Sequence, residues 1–153
     1  MSAVQLAHRR RGKPDLSQLT EPPHAAASRP CDFTAFCLLY QSTYFQYAMQ
    51  RLQDVARARD CVAQVVGELS ASWPAILGSA QPAAGAWLLL RAWVDRTGGS
   101  NTSGSLSRDQ ADTLLLWGEL NFSMAKIASV MGVEEAAVVV HLRSAARILS
   151  TSD

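Results

Sequence analysis

Apolar residues in this chain return mostly at three- and four-residue steps, and no segment longer than a few residues alternates with a period of two. Phe33, Phe36, Cys37, Tyr40, Tyr44, Tyr47 and Ala48 form a first stripe, the pattern of the buried face of an amphipathic helix. Asp32 is its candidate N-cap, and Gln53 marks its approximate end. Asp54 then offers a turn or a new cap. A second stripe follows at Ala58, Val62, Val65, Leu69 and Trp73. Gly67 weakens that helix and Pro74 is expected to end it. From Ala75 to Gly85 the residues are mostly small, with Gly78 and Pro82 among them, so a loop is expected. A further helix spans Ala86 to about Arg96, with Trp87, Leu90 and Val94 on one face. The fold class expected from these periods is all-α.

The stretch Leu106–Leu149 organises the C-terminal part. Ser107 is a good N-cap. Gln110, three residues on, completes a capping-box pattern, and Asp109 sits in the electropositive first turn. Leu114, Leu115 and Trp117 supply apolar bulk, and Asn121 is a stop. Ser123 caps a short helix carrying Ile127, Ala128, Val130 and Met131. Gly132 permits the left-handed conformation that a sharp turn between helices needs. The last helix starts near Glu134. Short helix, glycine turn and second helix are the grammar of a helix-turn-helix; a small three-helix bundle has the same spacing. Between the two helical parts lies TGGSNTSGS, from Thr97 to Ser105, which buries little apolar area and reads as a flexible tether. Four prolines (Pro14, Pro22, Pro23 and Pro30) and the lack of a sustained period mark residues 1–31 as a disordered, basic tail. The expected organisation is therefore a tail at 1–31, a helical domain at 32–96, a linker at 97–105 and a second helical domain at 106–150.

Charge distribution changes this picture more than composition does. The chain has 153 residues, 48% of them hydrophobic, and a formal net charge of +1. Residues 1–30 hold five basic and two acidic residues, whereas Leu106–Leu149 holds four basic and five acidic. A duplex-binding module gains affinity by neutralising phosphates and is usually basic, so DNA binding by this segment alone is expected to be weak. No apolar run approaches the ~20 residues that span a bilayer, and no apolar segment follows the N-terminal basic residues as a secretory signal requires. A cytoplasmic location is expected, without membrane partners. Cys31, Cys37 and Cys61 form no CxxC pair, and no metal site or cofactor is expected. There is no glycine-rich phosphate loop, and His8, His24 and His141 fit no triad, so an enzyme is not expected.

The order of these pieces resembles the extracytoplasmic-function (ECF) sigma factors of bacterial RNA polymerase, in which two helical domains, regions two and four, are joined by a flexible linker. The likeness runs from Asp32 to Leu149. In the first domain it is carried by Phe33, Phe36, Leu38-Leu39-Tyr40, Tyr47-Ala48, Arg51-Leu52, Asp54, and Asp60-Cys61-Val62-Ala63-Gln64-Val65-Val66. Ala86-Trp87-Leu88 and Asp95-Arg96 continue it. In the second, Leu106, Gln110, Leu114, Leu116, Phe122-Ser123, Ile127-Ala128, Val130, Gly132-Val133, Val138, Leu142, Ala145 and Leu149 fall in register. The resemblance implies a subunit that binds core RNA polymerase and directs promoter recognition, with an anti-sigma protein as a further partner. Region two of such factors docks on the polymerase and captures a melted strand; region four lays its last helix in the major groove.

Carried onto this chain, the resemblance assigns polymerase contacts to Arg51, Asp54, Asp60 and Gln64, and single-strand contacts to Arg91, Trp93 and Arg96. Duplex contacts fall to Lys126, Ala136, Val139, Val140, Arg143, Ser144 and Arg147. The departures concentrate in the last helix. With Val138, Leu142, Ala145 and Leu149 inward, the outward side of its N-terminal half has no long polar side chain. Val139 and Val140 can meet thymine methyl groups but form no bidentate hydrogen bonds to a base; Arg143 and Arg147 can hold phosphates. An exposed valine pair also suits a protein contact. The alternative expectation is therefore a degenerate sigma-like regulator that works through protein interactions. A plain helical scaffold is a third.

Overall fold

A computed structural model describes residues 23–99 and 104–152, with side-chain environments from Asp32 onward. Every regular element among the described residues is helical: α1 (Pro23–Leu52), α2 (Val55–Leu77), α3 (Pro82–Thr97), α4 (Arg108–Leu114), a π-helical turn (Leu115–Glu119), α5 (Met124–Met131) and α6 (Glu135–Thr151). The chain divides into a unit up to Asp32 and a second unit from Phe33 to Asp153. Of the expected tail, residues 23–31 lie within α1, so Asp32 is an interior residue and not a cap; residues 1–22 lie outside the described residues. Pro23 opens α1 at a position where a missing N–H costs nothing and the fixed φ suits a helix.

Local chemistry sets the other boundaries. Gln53 turns the chain with φ of 57°. Asp54 then caps α2, its carboxylate accepting from the Arg57 N–H at 3.0 Å. Pro74 does not end α2 as expected. The helix continues to Leu77 and closes where the Gly78 N–H reaches the carbonyls of Pro74 and Ile76. A proline near a C-terminus forfeits one backbone hydrogen bond, and the last turn is anchored by Trp73, buried against Phe33 and Phe36, and by Ile76, packed on the core. α3 starts four residues before the expected Ala86, with Pro82 in its first turn. Ser107 and Gln110 form the expected capping box at α4. The π-helical turn was not legible in the sequence; beyond it Asn121 takes φ of 58° and Ser123 caps α5.

Within the second unit the two helical segments do not stand apart. Tyr44, Tyr47, Val65, Trp87 and Leu90 belong to one buried cluster with Leu116, Phe122, Ile127, Met131 and Val138. Aromatic rings fill the first part of it. Tyr47 lies 4.7 Å and Tyr44 6.2 Å from the Trp87 centroid, and Phe33 and Phe36 pack on Trp73 at 5.4 and 5.2 Å. The expected division at 97–105 therefore separates stretches of sequence but not independent cores. At its start, Gly98 adopts φ of 114° and Gly99 is buried against Val94, where a Cβ would come within 2.6 Å of Cγ1. Residues 100–103 lie outside the described residues. A polar tether limits what the tether itself buries; it places no limit on contact between the bodies it joins.

Candidate nucleic-acid interface and the charged seam behind it

The helix-turn-helix forms as its caps require. Gly132 takes φ of 70° and ends α5, its N–H returning to the Ala128 carbonyl. The same glycine touches the first turn of α3. A Cβ there would stand 2.1 Å from the Ala84 nitrogen and 2.8 Å from the Ala83 carbonyl carbon, so only glycine fits. α5 packs on α3, and the Tyr40 hydroxyl of α1 lies 2.6 Å from Ser129 Oγ of α5. The turn and the helix leading into it are thus held from behind by α3 and α1.

α6 presents the face expected for DNA. Val138 and Ala145 are buried and Leu142 half-buried, as the inward stripe requires; Leu149 ends 44% exposed. Ala136, Val140, Arg143 and Arg147, at helical steps of four, three and four, are exposed on the other side, with Val139 and Ser144 half-buried beside them. Lys126 is exposed on α5, its ammonium 4.0 Å from the Phe122 ring centroid, a cation–π contact. The seventeen residues of α6 extend about 25 Å at 1.5 Å per residue, enough to lie along a major groove.

The residues assigned to a melted strand and to polymerase are placed differently. Arg91 is 16% exposed and turned inward, donating to Asp109 Oδ1 at 2.9 Å, with Nε 3.3 Å from Asp112 Oδ2. Trp93 is half-buried. Its indole N–H donates to Glu68 of α2, and the guanidinium of exposed Arg96 lies 4.9 Å from its ring centroid. Asp60 and Gln64 are exposed one turn apart on α2, and Asp54 is engaged as the α2 cap. Arg51 does not join them. Its side chain is 9% exposed and points at Asp112 and Tyr47.

What sequence reading missed is the hub of this seam. Asp112 on α4 is fully buried. Its Oδ1 accepts from the Tyr47 hydroxyl at 2.7 Å, from Arg51 Nη1 at 3.3 Å and from Arg108 Nε at 3.4 Å. Arg108 also donates to Asp95 Oδ2 at 2.9 Å and to the Tyr47 hydroxyl at 3.3 Å. Three guanidiniums, from α1, α3 and α4, thus converge on one carboxylate, with Asp95 and Asp109 at the rim. Burial pushes the Asp112 carboxyl above its usual range, and the Tyr47 hydroxyl and the three arginines pull it back. An isolated buried carboxylate would be prohibitive, whereas a paired and hydrogen-bonded one is tolerated. Tyr47 resists ionisation, first through burial and then through the adjacent Asp112 carboxylate. A signal was present in the sequence: Asp112 lies one turn before buried Leu116, so its carboxylate falls on the inward stripe of α4 and calls for partners of opposite charge.

No grouping of histidine, cysteine and acidic residues among the described residues could hold a metal ion, and no described helix is long and apolar enough to cross a membrane. No protein-family model matches the chain, and no curated protein matches it.

Proposed function

We propose that this chain is a transcription-initiation subunit of the ECF sigma type, which binds core RNA polymerase and engages promoter DNA weakly by itself. The observation that carries the reading is the uncovered face of α6, with Arg143 and Arg147 in line behind a turn fixed by Gly132. A helix so held is a rigid reader for a groove, and its two arginines suit phosphates. Asp60 and Gln64 on α2 provide a separate exposed surface for polymerase. An anti-sigma protein is the regulatory partner this reading implies.

A second reading is favoured by a specific feature. Val140 is 58% exposed, and with Ala136 and Val139 it leaves the N-terminal half of α6 without a base-reading side chain. Such a face suits a protein partner, as in a sigma-like regulator that has lost base readout. Purified protein mixed with core polymerase and a library of promoter fragments separates the two. The first reading predicts a stable polymerase complex and transcripts from a preferred sequence. Polymerase binding without transcripts supports the second. Absence of polymerase binding contradicts both.

A further inference from the structure

We propose that Asp112 is the hub of an intramolecular latch: its carboxylate occupies Arg51 and Arg91 in the place of an external polyanion and clamps α4 against α1 and α3. The assignment of single-stranded DNA as that polyanion rests on the reading above, whereas the latch itself rests on the seam.

The geometry has the properties a latch needs. The seam joins segments on opposite sides of the tether, Arg51 and Arg91 before it and Arg108 and Asp112 after it. At its centre the two bonds that cross from α4 to α1, from Tyr47 and Arg51 to Asp112 Oδ1, measure 2.7 and 3.3 Å, so a modest displacement of α4 breaks both together, while Arg108 travels with Asp112 on the same helix. The seam is also reachable from outside. Its rim carboxylates Asp95 and Asp109 keep 44% and 51% of their side-chain exposure, and the arginines behind them keep 9 to 16%. Arg51 and Arg91, gathered on that carboxylate from α1 and α3, are a ready-made site for phosphates once it withdraws. A polyanion entering at the rim would compete with Asp95 and Asp109 first and then with Asp112. Local displacement of α4 would follow, while α5 and α6 stay held through Gly132 on α3, Tyr40 on Ser129 and the shared core.

The test uses the full chain and a fluorescent oligothymidylate of about ten nucleotides, within the span that a basic groove commonly tracks. Asp112→Asn keeps the shape and leaves the three guanidiniums without their central anion. Glu119→Gln, at an exposed position, makes the same change in net charge away from the seam. Asp112→Asn is expected to bind the oligonucleotide about tenfold more tightly than either wild type or Glu119→Gln at low salt. The plot of log K against log salt should steepen by about 0.7 for each arginine that engages a phosphate. Adding Arg91→Gln to Asp112→Asn should remove most of that gain. A folded Asp112→Asn protein that binds no better than Glu119→Gln overturns the latch. Should Asp112→Asn fail to fold, amide exchange in wild type decides. Faster exchange across α4 on adding oligonucleotide supports the latch, and unchanged exchange overturns it. The sigma-type reading is tested separately, because polymerase binding plays no part in this measurement.

Discussion

The outer face of α6 and the seam around Asp112 both carry arginines and use them in opposite ways. On α6, Arg143 and Arg147 are exposed, where substitutions ordinarily cost little stability. In the seam, Arg51, Arg91 and Arg108 are largely withdrawn from water and tied to one buried carboxylate. Charge on an open helix face tunes association; charge in a closed seam sets which parts of the chain stay together. A basic residue in a matching sequence register is therefore no guide to which of these it does.

Substitutions can break or sharpen the contrast, and the largest effects belong behind the face. Trp87→Ala empties the aromatic centre shared by α1 and α3 and should cost about 3–5 kcal/mol, read from the urea midpoint. Gly132→Ala combines a left-handed φ with a clash against Ala84 and should cost on the order of 3 kcal/mol. Tyr47→Phe removes the hydroxyl that bonds Asp112 and two arginines, at about 2 kcal/mol. The same residue sets an alkaline limit. Its folded-state pKa lies above the ordinary value of 10.0, as does that of Tyr44, which is likewise raised mainly by burial. Their contribution is complete below pH 10 and is lost as pH rises beyond it, because the unfolded chain releases those protons first. Urea midpoints should therefore fall more steeply above that pH in wild type than in Tyr47→Phe. Ser107→Ala, which opens the α4 capping box, should cost about 1 kcal/mol.

On the outer face the effects should be small in stability and visible only in binding. Arg143→Ala and Val140→Ala should each shift stability by no more than about 0.5 kcal/mol. If α6 holds DNA, Arg143→Ala should also lower the salt slope of duplex binding by about 1. If α6 instead meets a protein, Val140→Ala should weaken that contact and leave duplex binding alone.

Sequence reading served best where one residue type has one local use. Ser107 with Gln110, Ser123, Gly132 and Asp54 were identified from spacing and occupy the expected caps and turn. The stripes of α1, α2 and α3 were legible because period reflects burial directly. The start of α1 and the end of α2 were not, because a proline weakens a helix without deciding its fate against tertiary packing. Arg51 and Arg91 were assigned outward roles because only their register was known. Which way an arginine points depends on where its carboxylate lies, and Asp112 is 61 residues from Arg51 in sequence. The same distance in sequence hid the single core: a polar tether reads identically whether the bodies it joins stay apart or pack together.

The helix-turn-helix and the helices before it share one core and one buried charge hub, and should unfold as one cooperative body. Fluorine-labelled tryptophan makes this directly measurable, since Trp73, Trp87 and Trp93 report from α2 and α3 and Trp117 from the π-helical turn. Under urea, all four resonances should lose their native positions in one coincident transition. A Trp117 transition well separated from the other three would contradict the account and restore two independent domains on a tether.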